Sequence, residues 1–319
     1  MTDVSLEPEA QAFADVTAQP PYLYEIGPAA ARQVLEDVQA APGELEDVDE
    51  AWHIVQAEVG DVRVRVLRPI GVDGTLPVIL YVHGGGWILG SAATHDRLVR
   101  ELVRHARAAL VFVDYDRSPE VQYPVAIEQI YATAKWLTLH GDEEHLDASR
   151  MAIAGDSVGG CMAAAVAILA KRRGDVSFVH QSLYYPVTDA RQDSESYRTF
   201  AGGPFLTAKS MAWFWDAYAP DHAMRDDAIV SPLRASTEDL TGLPEALVIV
   251  DENDVLRDEG EAYGRRLMQA GVRTTSIRFN GAIHDFMMLN PLRPSAASTA
   301  AIGLAGHVLR TVLAEHGEG

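Results

Sequence analysis

Two glycine-bracketed segments, His83-Gly84-Gly85-Gly86-Trp87 and Gly155-Asp156-Ser157-Val158-Gly159, supply between them the two halves of an acyl-transfer site. In the second, glycines on either side of Ser157 let a strand turn sharply into a helix and push the hydroxyl outward as a nucleophile. In the first, consecutive glycines free backbone N–H groups to face the oxygen on which negative charge develops when an ester carbonyl is attacked. Taken alone, Ser157 could be a helix N-cap among packing glycines. The two segments together, in this order, point to hydrolysis through a serine.

An activated serine needs a base within hydrogen-bond reach and a carboxylate that holds the base in one tautomer. In sheets that carry a serine on such an elbow, the acid and then the histidine follow in chain order, on loops after the last strands. Of the 11 histidines only His284 lies just past the final strand-forming run, in Asn280-Gly281-Ala282-Ile283-His284-Asp285-Phe286. His307 and His316 fall on the terminal helix or its tail and suit solvated positions. The choice of acid is crowded: Asp251, Glu252, Asp254, Asp258 and Glu259 all follow the apolar run 246–250. Asp258 and Glu259 suit the first turn of the next helix, where their charge meets the positive end of its dipole. Asp251 serves to end the strand. Asp254 is the best of the five, although a turn or N-cap role would also account for it. The single cysteine, Cys161, precludes an internal disulfide and a multi-cysteine metal site, and its alanine-rich surroundings assign it to packing.

These residues must be brought together by the elements around them. Runs of β-branched and apolar residues bounded by turn residues predict strands over 52–59, 62–69, 77–83, 109–115, 151–154, 178–185, 245–250 and 274–280. Helices are predicted over 94–107, 125–140, 158–173, 258–270 and 295–315. The alternation from residue 77 onward implies the α/β class: a mainly parallel, doubly wound sheet with helices on both faces, preceded by an antiparallel hairpin that turns at Glu58-Val59-Gly60-Asp61. Ligands of such sheets collect at the carboxyl ends of the strands, where the loops after Val82 and Ala154 both emerge.

Two segments stand outside the alternation, the helical 6–51 and the insertion 187–233, and both read as parts of a cap. The insertion carries Phe205, Leu206, Met211, Trp213, Phe214, Trp215 and Tyr218, some of which must face a ligand or the core, packing of the cap onto the sheet being the favoured role for any one of them. The expected organisation is therefore amino-terminal cap helices over 1–51, a core over 52–186 and 234–319, and a cap insertion over 187–233.

With 319 residues and 48% hydrophobic content the chain can bury a substantial core. A formal charge of −20, from 46 acidic and 26 basic side chains, disfavours nucleic acid and anionic membrane surfaces as partners. The start, residues 1–9, is acidic and lacks the basic and apolar regions of a secretory signal. No uninterrupted apolar run has the length needed to span a bilayer. A cytoplasmic address is the resulting expectation. A serine-based mechanism calls for no metal and no cofactor.

Four blocks carry a resemblance to a known family: the His83–Trp87 segment; Asp114-Tyr115-Asp116-Arg117-Ser118-Pro119-Glu120; Gly155–Gly160; and Asp254-Val255-Leu256-Arg257-Asp258-Glu259-Gly260 with Ile283-His284-Asp285-Phe286. From about residue 77 to the end the chain resembles the hormone-sensitive-lipase-like group of α/β hydrolases, the bacterial family IV carboxylesterases. The resemblance implies an α/β-hydrolase fold with an eight-stranded, mostly parallel sheet and a helical cap. It also implies Asp254 as the triad acid, His284 as the base, and the amides of Gly84, Gly85 and Val158 as oxyanion donors. The implied substrates are small carboxylic esters of short to medium chain, held in a pocket near Trp87, Phe205, Leu206 and Phe286. Amide or formamide hydrolysis would use the same triad, and a receptor that binds without turnover typically lacks the histidine. A homodimer through the final edge strand is a further implication. The chain departs from the family pattern at Val255, where proline is usual, in the block Tyr115–Glu120, and at Asp285, where glycine is usual. A carboxylate beside the imidazole would raise its pKa.

Overall fold

The computed structural model of the chain describes residues 5–315, so His316 and the first four residues of the acidic start lie outside the described residues. Eight strands form one sheet: β1 (Val48–Val55), β2 (Val62–Pro69), β3 (Leu76–Val82), β4 (Ala109–Asp114), β5 (Leu146–Asp156), β6 (His180–Tyr184), β7 (Glu245–Asn253) and β8 (Thr274–Ile283). Their order is β1-β2-β4-β3-β5-β6-β7-β8. β2 runs antiparallel to both β1 and β4, and every later pairing is parallel. The carboxyl ends of β3, β5, β7 and β8 therefore share one edge of the sheet, which is the condition for their loops to meet.

The helices in chain order are α1 (Pro8–Thr17), α2 (Leu23–Ile26), α3 (Pro28–Gln39), α4 (Asp96–Ala106), α5 (Val125–His140), α6 (Val158–Arg173), α7 (Glu195–Thr199), α8 (Ala208–Tyr218), α9 (Thr237–Leu240), α10 (Arg257–Gln269) and α11 (Ala296–Glu315). Helices on both faces explain why the central strands read as unbroken apolar runs: Val78, Ile79, Leu80, Tyr81 and Val82 are all without solvent contact. α6 is buried over nearly its whole length, which accounts for its alanine-rich, all-round apolar sequence and for Cys161.

Several boundaries differ from the sequence reading. β7 runs three residues past 250, to Asn253, so Asp251 lies within the strand, paired with Phe279, and does not end it. β1 starts at Val48 and ends at Val55, so residues 48–51 belong to the sheet and the hairpin turn occupies 56–61; pairing of Val55 with Val62 fixes this register. β5 begins five residues early, at Leu146, because Leu146 and Asp147 pair with Leu76 and Pro77 before a bulge, and its polar start hid it. β8 continues to Ile283, which pairs with Asn253, so His284 follows the strand directly. α11, with 20 residues, does reach the length and apolarity of a bilayer-crossing helix, contrary to expectation, but half of it is buried within the fold, where it packs on α4.

Candidate active site

Ser157 stands between β5 and α6 with φ 54° and ψ −121°, a conformation that a residue with a side chain keeps only when its surroundings enforce it. The enforcement is visible. The Ser157 N–H donates to the Tyr184 carbonyl at 2.9 Å, and the Ser157 carbonyl accepts from the amides of Cys161 and Val187 at 3.2 and 3.1 Å. A Cβ on Gly155 would lie 2.5 Å from the Gly159 carbonyl oxygen, and one on Gly159 would strike the Val82 carbonyl. Both flanking glycines are thus required by the close approach of α6 to β3.

β7 and β8 deliver the other two groups. His284 Nε2 lies 2.9 Å from Ser157 Oγ, and His284 Nδ1 lies 2.7 Å from Asp254 Oδ2. Because a carboxylate can only accept, a proton sits on Nδ1, and in the neutral imidazole Nε2 is left to accept from the serine hydroxyl. The second Asp254 oxygen accepts from the Leu256 N–H at 3.1 Å. Ser157, Asp254 and His284 are all buried.

The remaining acids of the crowded loop have other partners. Glu252 accepts from the Gly281 N–H at 2.9 Å, Asp258 from the Ser196 N–H at 2.7 Å, and Glu259 from the amides of Thr188 and Asp189 at 2.6 and 3.2 Å. Asp258 and Glu259 do lie in the first turn of α10, but their oxygens also tie down the insertion, which spacing alone did not show. Asp251 is fully buried and neither of its oxygens has a donor among the described residues. Asp251, Asp254 and His284 bring ligating atoms within 4.8 Å of one another. Both imidazole nitrogens are already engaged, one by Asp254 and one by Ser157, so the cluster offers no free ring lone pair to a metal.

The imidazole sits among acids. Burial works against its cationic form, but the carboxylates led by Asp254 and then Asp285 outweigh that and push His284 up to about 10. Asp285, at φ 64°, places Oδ1 3.5 Å from His284 Nε2, and burial pushes its own carboxyl up to about 6.

Gly85, at φ 100°, and Gly86, at φ 62°, line the cavity above Ser157, together with Leu89, His284 and Asp285. Gly84 does not. It packs beneath, where a Cβ would strike the Asp156 carboxylate. The glycines that face the cavity are therefore displaced by one residue from the pair read in the sequence; three consecutive glycines look alike until the backbone turn separates them. Val158 follows Ser157 as the first residue of α6. Under the loop, Asp156 accepts from the Tyr81 hydroxyl at 2.7 Å and lies 3.3 Å from His95 Nε2. His83 stacks on Tyr115 with ring centroids 4.2 Å apart, and burial pushes its imidazole down to about 3, so it is a neutral strut.

The cavity holds about 60 Å³ and its walls are apolar: Leu23 and Leu35 from the amino-terminal helices, and Phe205, Leu206, Met211 and Phe214 from the insertion, with Ser210 as a polar point. Trp87 and Phe286 are not among its walls, contrary to expectation. Trp87 stacks flat on Tyr218 at 4.2 Å and leans on Trp215 at 4.6 Å. Phe286 packs against Tyr185 and Phe279 at 5.6 and 5.5 Å. Both rings position the walls rather than form them. Met211 and Phe214 belong to the apolar group singled out in the insertion, whereas Leu23 and Leu35 gave no sequence signal that set them apart from other apolar residues at helical spacing.

The model of the α/β hydrolase fold family matches residues 79–288. An esterase of Gibberella moniliformis is 35% identical over 313 residues, covering 97% of this chain and 98% of its own. Carboxylesterase NlhH of Mycobacterium tuberculosis is 37% identical over 246 residues, 77% of either chain. The crystal structure of a thermostable esterase from Pseudomonas putida superposes with a TM-score of 0.95 at 46% identity, covering 98% of this chain and 99% of the other. A serine elbow, a glycine loop and an acid–imidazole pair on one sheet edge, with relatives of this kind over nearly the whole length, place the chain in the hormone-sensitive-lipase-like branch of the α/β hydrolase family.

Proposed function

We propose that the chain is a serine carboxylesterase that hydrolyses short- to medium-chain esters through an acyl-enzyme on Ser157. The observation that carries this reading is the unbroken hydrogen-bonded line from Asp254 through His284 to Ser157, 2.7 and 2.9 Å long, ending in a narrow apolar cavity. Ser157 Oγ attacks the ester carbonyl carbon as its proton passes to His284 Nε2. Asp254 holds the Nδ1–H and offsets the charge of the imidazolium. The amides of Gly85, Gly86 and Val158 are the donors for the oxygen that becomes negative. The imidazolium then protonates the leaving alcohol, and a water molecule, deprotonated by the same nitrogen, releases the acid and restores the serine.

Ester rather than amide cleavage is supported by the relatives, which carry the names of esterases. Turnover rather than binding alone is supported by the histidine in contact with the serine. The amino-terminal helices and the insertion act as the cap, since both contribute walls above Ser157.

Ser157→Ala should lower kcat/KM on an activated short-chain ester by at least about 10⁴-fold while leaving the thermal transition in place. Wild type should form a stoichiometric adduct at Ser157 with a serine-directed phosphonate. Full ester turnover by Ser157→Ala would end this assignment.

A further inference from the structure

Three buried carboxyl groups surround one imidazole. Asp254 meets Nδ1 at 2.7 Å, Asp285 approaches Nε2 at 3.5 Å, and Asp251 lies beside Asp254, with the ligating atoms of Asp251, Asp254 and His284 all within 4.8 Å. Three carboxylates facing at most one cation leave a large uncompensated charge away from water, and like charges this close do not all ionise. At least one of the three keeps its proton.

The surroundings select Asp251. Both oxygens of Asp254 accept hydrogen bonds, from His284 and from the Leu256 amide, which suits a carboxylate. Asp285 is buried too and its Oδ1 has no hydrogen-bond partner, but it lines the cavity and that oxygen lies 3.5 Å from His284 Nε2. Asp251 has no solvent contact, and neither oxygen receives a hydrogen bond. The titratable groups that face it are Asp254 just past the end of its own strand β7, His284 just past β8 and Tyr185 just past β6. No arginine or lysine among the described residues pairs with it. An ionised carboxylate in that position would give up its hydration for nothing, whereas a carboxylic acid has an O–H to donate and Asp254, with an oxygen within 4.8 Å, as the neighbouring acceptor.

We propose that Asp251 is a carboxylic acid that donates its proton in a hydrogen bond to Asp254, and that it acts as a positioning residue which tempers the hold of Asp254 on the imidazolium. The proposal rests on the reading of Asp254, His284 and Ser157 as the triad. Burial, and the neighbouring charge of Asp254, push the Asp251 carboxyl well above the ordinary carboxylate range, in the same direction. A hydrogen bond into Asp254 spreads its negative charge, so Asp254 pulls less strongly on the Nδ1 proton. That matters because His284 must hand its proton on to the leaving alcohol, and three full negative charges would retain it.

Infrared difference spectroscopy tests the protonation state directly. At about pH 8, far above an ordinary carboxyl pKa, wild type should show the carbonyl stretch of a protonated carboxylic acid that Asp251→Asn lacks. The buried Glu259 is pushed up as well, and Glu259→Gln identifies its contribution. In pH profiles, Asp251→Asn keeps a neutral donor, so the acidic limb of kcat/KM should stay within about 0.3 pH unit of wild type, whereas Asp285→Asn removes a negative charge beside Nε2 and should move it down by about 1 unit. Asp251→Ala loses the donor: the limb should rise by about half a unit and kcat/KM fall about tenfold, with Asp251→Asn recovering most of the loss. Absence of any protonated-carboxyl band in wild type, which needs no variant, overturns the proposal. So does a downward shift in Asp251→Asn as large as that in Asp285→Asn. The infrared signal does not depend on turnover, so failure here is separable from failure of the triad, which Ser157→Ala tests.

Discussion

His284 can take a proton from Ser157 only while it is neutral, and its acidic neighbours decide how much of it is neutral at a given pH. Pushed up from 6.5 to about 10, the imidazole remains largely protonated through neutral pH, so kcat/KM should still be climbing there and the acidic limb of its profile should lie above 6.5. Asp285→Gly removes one of the charges responsible, and the limb should then move toward lower pH; a pH–rate profile that does not move would detach Asp285 from the base. The same shift has a signature in stability. A histidine whose pKa is higher in the folded state contributes stability that is fully present below 6.5 and is lost as pH rises through about 10. The melting temperature of wild type should therefore fall across that window more steeply than that of His284→Ala, as calorimetry at a series of pH values would show. Much of this geometry was legible from residue order: Ser157 by its glycines, His284 by its place after the last strand, Asp254 as one of five acids, the three lying in one hydrogen-bonded line. The choice among the glycines was not, because identical residues differ only in the backbone turn each one adopts. Nor were the roles of Trp87 and Phe286, since an aromatic ring beside a motif reads the same whether it faces a ligand or the core.

Elements hold these residues through a small number of seams, and Trp87 is the principal one between the sheet and the insertion. It leaves the glycine loop at φ 58°, is almost wholly buried, and stacks on Tyr218 and Trp215 of α8, the helix that also carries Met211 and Phe214 into the cavity wall. Trp87→Ala should cost about 3–5 kcal/mol of stability and loosen α8, so that KM for small esters rises more than kcat falls. Denaturant unfolding and steady-state kinetics on the same variant measure both; an unchanged KM would mean that α8 is held elsewhere. The alternation of strands and helices was readable because the periods differ and the buried strands are continuous apolar runs. Its errors fell where pairing overrides local pattern: the polar opening of β5, which joins the sheet only through β3, and the register of β1, which is fixed by β2.

At the scale of the whole molecule, the amino-terminal segment is a brace that reaches the glycine loop and the segments carrying Asp254 and His284. The Ser5 carbonyl accepts from Asn253 beside the acid, Glu7 N–H donates to the Gly281 carbonyl near the base, and Gln39 donates to the carbonyls of Thr94 and Met288. Arg32 on α3 reaches the glycine loop: its Nε donates to the Ile88 carbonyl at 2.8 Å, Nη2 to the Ser118 carbonyl at 3.0 Å, and both Nη atoms clasp Glu120. The hydrogen bond from Arg32 holds Glu120 down at about 2, so the clasp keeps both charges through any pH at which the base can work. Since α3 also supplies Leu35 to the cavity wall, the brace couples the position of the wall to that of the oxyanion loop. Arg32→Ala should cost about 1–3 kcal/mol, lower the melting temperature by a few degrees, and open the amino-terminal segment to limited proteolysis. Arg32→Lys should recover little of this, because an ammonium cannot reproduce the planar fork that serves two carbonyls and a carboxylate together. If the brace works as a unit, both variants should also lose discrimination between short and longer acyl chains, as a series of esters would reveal; an acyl-length profile identical to wild type in a variant that is cleaved faster would show that the segment stabilises the fold without shaping the cavity.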